Sequence, residues 1–314
     1  MTESVSYVKN TGSGQEAVLA VDAGGTYFKS ALISQDGGII EGSFLQTTVP
    51  PSGSKPEIIG AYEKVFASSF QFAGLHGLMI VGIGISTPGP FDYVRGMSLM
   101  DHKFKSIKNI RLREEFAGLD CFDGKMPVVF QQDVHSFLIG EHWAGVIRGA
   151  DSAAAITLGT GLGFGVMKNS TIVDNGSGGP CVSVFNRPYG NGILEDRISR
   201  RGLISQYCKY AGTPDSGIDV HEISRKARTQ DDPRALKVFR EAGQIMAEEL
   251  CGIFEAYEIK NLVFGGQISK SFDLFAPSLE ARLRELGKVI NVMQGANIES
   301  SALIGAAKKL FESR

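Results

Sequence analysis

At 314 residues, 43% of them hydrophobic, the chain is long enough for two domains with a core in each. Its 32 Lys and Arg offset 34 Asp and Glu, so no large net field draws nucleic acid or an anionic membrane, and a small-molecule partner is expected. Met1 to Glu16 is polar and lacks the apolar core of a signal peptide, and no later segment has the ~18 uninterrupted apolar residues of a membrane span; a cytoplasmic protein is expected.

Ala17 to Val21 reads as a short apolar strand ending at Asp22. Phe28 to Ile33 and Ile39 to Leu45 then flank Asp36-Gly37-Gly38, a hairpin turn signal. Ile58, Ile59, Tyr62, Val65, Phe66 and Phe70 recur at helical spacing, and Leu78 to Ile85 is a continuous apolar strand broken by Thr87-Pro88-Gly89-Pro90. A second round begins with a strand at Pro127 to Phe130 that runs into Asp133 and a helix through Val134, Phe137, Leu138, Glu141 and Trp143. Ala153 to Leu158 and Gly163 to Lys168 form a strand pair around Gly159-Thr160-Gly161-Leu162, a weak internal repeat of the first hairpin that suggests two related lobes. From Gly192 the pattern is helical, with a long stretch through Leu236, Phe239, Met246, Leu250 and Phe254. Leu262 to Phe264 is a buried strand before Gly265-Gly266, Val289 to Met293 is the last strand, and Ala302 to Phe311 is the last helix.

The four cysteines, Cys121, Cys181, Cys208 and Cys251, are far apart, without a CxxC pair. They read as free thiols, with no disulfide framework and no structural zinc built on paired thiolates.

Three segments carry chemistry. Asp22-Ala23-Gly24-Gly25-Thr26, with Lys29 three residues on, offers glycine backbone N–H groups and a hydroxyl to an anionic phosphate, and a carboxylate for the water shell of Mg²⁺. A plain Gly-Gly hairpin turn reads equally well from this pentapeptide alone. Gly159, Thr160, Gly161 and Gly163 repeat the chemistry between two strands, without P-loop or dinucleotide spacing. Gly265 and Gly266 follow a buried strand, as a flat turn beside a purine would, or as many strands end.

In their order, Asp-x-Gly-Gly-Thr, the Pro88-Gly89-Pro90 turn with Asp92, an aspartate entering a helix with Gly140-Glu141, Leu-Gly-Thr-Gly-x-Gly and Gly-Gly-x-Ile resemble the ROK family of bacterial sugar kinases and repressors, from about Val18 to Ala307. The resemblance implies an α/β fold of the two-lobed actin/hexokinase type, with ribonuclease H-like lobes and ATP bound between them. Residues 1–133 with the C-terminal helix 301–314 make one lobe and 134–300 the other. It implies an ATP-dependent kinase acting on a hydroxyl of a hexose, the 6-hydroxyl by family habit, with Mg²⁺ carried on ATP, and a homo-oligomer, dimer or tetramer.

By that likeness Asp133, in Gln131-Gln132-Asp133, matches the catalytic aspartate. A sugar hydroxyl is a weak nucleophile and needs a carboxylate to orient it and take its proton; a helix N-terminus should favour the ionised form. A simple N-cap is the structural alternative.

The sequence departs from the family pattern in several places. Gln132 stands where the family has asparagine, and His135 replaces another. The Glu-x-Gly-His segment is replaced near Gly176 to Val184, and the zinc-binding cysteines are missing, so neither zinc nor ordinary glucose recognition is expected. Glu195 matches a glutamate that binds sugar hydroxyls, or is an ordinary helix glutamate. Asp101 and His102 lie where the family places sugar contacts, with Gln132, Asp133 and Glu195 completing the expected set. His102, Lys103, Lys105 and Lys108 also read as a solvated basic loop. The repressor branch requires a DNA-binding helix-turn-helix, for which the 16 residues before the first strand leave no room, so no nucleic-acid partner is expected. A non-catalytic sugar sensor or pseudokinase of the same family, and another actin-like ATPase such as an acetate-kinase or chaperone relative, are the remaining alternatives.

Overall fold

The computed structural model describes residues 7–9, 14–213 and 217–314. In chain order the strands and helices are β1 (Tyr7–Val8), β2 (Gln15–Ala23), β3 (Tyr27–Ser34), β4 (Ile39–Ile40), β5 (Leu45–Thr48), α1 (Lys55–Leu75), β6 (Leu78–Thr87), β7 (Phe91–Asp92), β8 (Met97–Ser98), α2 (Leu112–Phe116), β9 (Val128–Gln132) and α3 (Asp133–Ala144). Then come β10 (Ser152–Leu158), β11 (Leu162–Lys168), β12 (Thr171–Val173), β13 (Pro188–Tyr189), β14 (Gly192–Ile193), α4 (Glu195–Ile198), α5 (Arg200–Ala211), α6 (Val220–Thr229), α7 (Pro233–Ala256), β15 (Asn261–Gly265), α8 (Phe272–Glu285), β16 (Asn291–Gln294) and α9 (Ser301–Glu312).

The chain divides into two compact units. One takes residues 1–148, 174–180 and 299–314, and the other 149–173 and 181–298. The expectation drew its boundary at residue 133, whereas here α3 stays with the first unit. The reason is a glycine contact between helices: a Cβ on Gly140 would overlap the Ser301 backbone, and one on Gly305 would overlap the Ser136 backbone, so α3 and α9 pack backbone to backbone. Buried Glu141 reinforces the contact, accepting from Ser301 Oγ at 2.6 Å and from Val146 N at 3.0 Å.

The first unit holds a mixed sheet in the order β1-β4-β3-β2-β6-β9, with β5 also on β3. β2 runs antiparallel to β3 and parallel to β6, and β6 parallel to β9. The expected hairpin at Asp36-Gly37-Gly38 forms, with Gly37 at φ 86°. The strand expected from Ile39 to Leu45 is interrupted at Gly42, whose φ of 79° breaks the ladder, and the pieces on either side, β4 and β5, both pair with β3. α1 starts at a capping box, Ser54 with Glu57, and buries the apolar stripe read from the sequence. Its Tyr62 and Phe66 meet Phe28 and Phe116 with ring centroids 4.4–6.1 Å apart, an aromatic core under the C-terminal strand ends.

The second unit repeats the pattern: β12-β11-β10-β15-β16, with β11 antiparallel to β10 and the next two strands parallel. Helices α5 to α8 pack with strands β10, β11 and β15 into its core, centred on Phe239, Met246, Leu250, Phe264 and Phe275. Both sheets thus have an antiparallel hairpin feeding parallel strands, the topological form of the internal repeat. The four cysteines are free thiols, Cys208 buried and the others half-buried.

Candidate active site

In the first unit, the C-terminal ends of β2, β6 and β9 lie side by side, the edge where parallel sheets present ligand-binding groups. Register puts Asp22 opposite Ser86, Ser86 opposite Gln131, and Thr87 opposite Gln132. Ser86 Oγ donates to Asp22 Oδ1 at 3.1 Å. The chain then turns through Gly24, Gly25 and Thr26 before β3. A Cβ on Gly24 would come 2.8 Å from the Tyr27 carbonyl oxygen, so the turn needs glycine on structural grounds alone.

Asp133 is the first residue of α3. Its Oδ1 accepts from Val134 N at 2.8 Å, and Gln132 takes the N-cap position. The helix start is not the largest influence on its charge. Burial pushes the Asp133 carboxyl above the ordinary range, opposed by the Lys103 ammonium and by the first backbone N–H groups of α3. Asp22 is pushed up to about 6, first by burial and then by the facing Asp133 charge; Lys29, the Ser86 hydroxyl and Lys103 pull the other way. Two half-buried carboxylates therefore face each other, and Lys103 acts on both.

Lys103 is the residue the sequence reading passed over. Rather than standing in a solvated loop, it is half-buried, and its side chain runs beside Gly25: a Cβ there would lie 3.7 Å from Lys103 Cδ and 4.0 Å from Nζ. His102, Lys105 and Lys108 are exposed, as the solvated-loop reading expected, and Asp101 is exposed too and pairs with Lys108 at 3.4 Å. Asp101 and His102 thus stay exposed, unlike half-buried Asp133. Lys29, expected at the phosphate, has its ammonium held by Glu299.

Two buried polar atoms near Asp133 have no partner among the described residues: Gln132 Oε1 and His135 Nε2. His135 is 1% exposed; burial lowers it to about 4, Asp174 and a hydrogen bond to the Gly178 backbone opposing. The ring is therefore neutral at physiological pH.

The second unit has its own edge. β10 and β15 run parallel with Thr157 opposite Gly265, so the loops beginning at Gly159 and Gly266 are neighbours. Gly266, at φ 80°, would drive a Cβ into the Leu158 carbonyl. The Gly159–Gly163 loop is tied at three points: Gly159 N donates to Gly161 O at 3.0 Å, Arg200 N to Gly159 O at 2.9 Å, and Leu162 N to Glu195 Oε2 at 2.9 Å. The other Glu195 oxygen accepts from Arg201 at 2.9 Å. Glu195 therefore orients the glycine loop, a role that neither reading of it anticipated. Thr160 and Gly161 remain exposed.

Among the described residues no helix is long and apolar enough to cross a membrane, and no group of three or more His, Cys, Asp or Glu side chains is placed to hold a metal ion.

A glucokinase from Thermotoga maritima is 29% identical over 94% of this chain and 97% of its own length. A beta-glucoside kinase from Listeria monocytogenes is 26% identical over 92% and 95%. Among solved structures, a ROK family glucokinase from Streptomyces griseus, in complex with glucose and AMPPNP, superposes with a TM-score of 0.75 at 23% identity over 93% of this chain and 98% of that one, which gives the two-lobed actin-like ATPase fold. The model of the ROK family matches residues 18–309, and the chain belongs to that family.

Proposed function

We propose that this chain transfers the γ-phosphoryl group of ATP to a hydroxyl, the 6-hydroxyl, of a hexose or hexose derivative, in the cytoplasm where ATP is supplied. The observation that carries the reading is Asp133: a half-buried carboxylate at the start of α3, beside the glycine turn after β2 and facing Asp22. The names of the relatives support the reaction class.

The sugar hydroxyl oxygen attacks the γ-phosphorus, its proton passes to the Asp133 carboxylate, and the bond from phosphorus to the bridging oxygen breaks so that ADP leaves. The raised position of Asp133 suits a proton acceptor, which must hold the proton briefly. Gln132 Oε1 and His135 Nε2, left without partners, are suited to accept from or donate to sugar hydroxyls. Gly24, Gly25, Thr26, Gly159, Thr160, Gly161 and Gly163 supply N–H and hydroxyl groups for phosphate oxygens, and Gly265 and Gly266 a flat edge for the purine. Asp22, a half-buried carboxylate at the end of β2, suits the hydration shell of a divalent cation. Mg²⁺ carried by ATP would neutralise phosphate charge, with Asp22 holding its water shell.

A sugar sensor without catalysis is the second reading. It is favoured by Glu195 being taken up by Leu162 and Arg201, and by residues 174–180 offering neither Glu nor His. Asp133→Asn separates the two: it should bind ATP like the parent while turnover falls roughly 10²–10⁴-fold. Turnover within a few-fold of the parent would remove Asp133 from the role, and a parent without turnover would favour the sensor.

A further inference from the structure

The loop between β8 and residue 105 is fastened on both sides of Lys103. Met100 and Phe104 are 1% and 2% exposed, Phe104 N donates to Pro51 O at 2.7 Å, and the Phe104 ring lies 6.0 Å from that of Phe28. Phe104 holds φ 51°, a left-handed conformation that a phenylalanine adopts only when its surroundings impose it. This anchoring sends the side chain between its two neighbours inward along the glycine turn, with Nζ 4.0 Å from where a Gly25 Cβ would stand. Lys103 forms no ion pair among the described residues, unlike Lys29, which is held by Glu299. A half-buried ammonium with no carboxylate within ion-pair distance is only partly compensated by the charges of Asp133 and Asp22, and an arriving anion would meet it.

We propose that Lys103 is a catalytic residue: its ammonium, held between the Gly24–Gly25 turn and Asp133, contacts the transferring phosphoryl group. Resting on the kinase reading above, the assignment adds a side-chain cation that none of the glycine-rich segments supplies. Lys103 keeps its three protons throughout the transfer, donating hydrogen bonds to phosphoryl oxygens as charge moves from the ADP leaving group toward the sugar oxygen. Burial works against the charged form, and the Asp133 and Asp22 carboxylates sustain it. Before nucleotide binds, the same ammonium lessens the repulsion between the two carboxylates.

The test uses the full chain and Lys103→Met, which keeps the aliphatic stem beside Gly25 and removes the charge. Turnover should fall about 10²–10³-fold with the sugar KM within about threefold. By calorimetry, AMPPNP affinity should fall about tenfold and ADP affinity stay within about twofold, because the γ-phosphoryl contact is lost and the rest of the nucleotide site is kept. Lys103→Cys alkylated with 2-bromoethylamine, which rebuilds an ammonium at nearly the same distance, should regain turnover; the parent treated alike controls for its own cysteines. Parent-like turnover in Lys103→Met, or equal loss of ADP and AMPPNP binding, overturns the assignment. If the parent phosphorylates no sugar, the kinase reading falls while the nucleotide affinities still decide Lys103: selective loss of AMPPNP binding upholds the contact, and unchanged binding overturns it.

Discussion

The glycine turn after β2 and the glycine loop after β10 occupy matching places in two sheets of the same pattern, yet they are built differently. The first is set among charges: Asp22, Asp133, Lys103 and the Lys29–Glu299 pair surround it. The second is set by hydrogen bonds, its conformation held through Gly159, Leu162, Glu195 and Arg200, and its exposed tip carries no charge. Duplicated topology thus leaves room for a division of labour, in which one edge supplies proton transfer and electrostatics and the other a preorganised backbone cradle.

Gly25→Val should break the charged edge. Its branched Cβ meets the Lys103 side chain and fills the space the phosphate needs, so kcat/KM for ATP should drop about 10²-fold, as small displacements at a reacting centre do. Steady-state kinetics with ATP varied would read the loss, and a normal kcat/KM would refute the cradle there. Gly161→Val acts on the other edge by a different route: its Cβ would lie 2.9 Å from Glu195 Oε2 and dislodge the acceptor of Leu162 N. Losing a hydrogen bond to a carboxylate costs about 1.5–3 kcal/mol, so the ATP KM should rise about tenfold or more, with kcat less affected. Equal kcat losses in the two variants would erase the distinction between the edges.

A smaller effect sharpens the contrast through stability. The Asp22 carboxyl rises to about 6 in the folded chain from an ordinary 3.8, so keeping it ionised is a cost at neutral pH. Without nucleotide or Mg²⁺, Asp22→Asn should therefore be more stable than the parent at pH 7.5 by about 1–2 kcal/mol. As pH falls through 6 the parent takes up the proton and recovers, and below about 4 the advantage vanishes. Urea unfolding at pH 7.5 and pH 4 measures both; an advantage that grew on acidification would contradict the burial of that charge.

Much of the first edge was legible in the sequence because local rules write it: an apolar run into Asp22, a glycine at Gly24 where a Cβ would strike Tyr27, and an aspartate opening a largely buried helix. The hairpin at Gly37 and the strands Leu78–Thr87 and Val128–Gln132 were legible for the same reason. Lys103 was not, because its burial depends on Phe104 bonding to Pro51, far away in sequence, and a lysine among exposed lysines looks like surface. A buried Phe between two lysines was the only local signal. Nor was the tie from Glu195 to Leu162, 33 residues apart, or the pairing of Lys29 with Glu299 across most of the chain. The burial that raises the Asp133 carboxyl was not legible, because a helix start can be read from sequence whereas desolvation cannot. The strand expected from Ile39 to Leu45 was interrupted by a positive φ at Gly42, a choice the hydrophobic pattern does not record.

The most direct test is to incubate the chain with Mg-ATP and a panel of hexoses and hexose derivatives and to quantify ADP and sugar monophosphate by mass spectrometry. The account predicts that at least one sugar raises ADP formation well above the sugar-free rate and yields sugar monophosphate one for one with ADP. ATP bound normally but hydrolysed at the sugar-free rate with every member, and no sugar monophosphate formed, would contradict it.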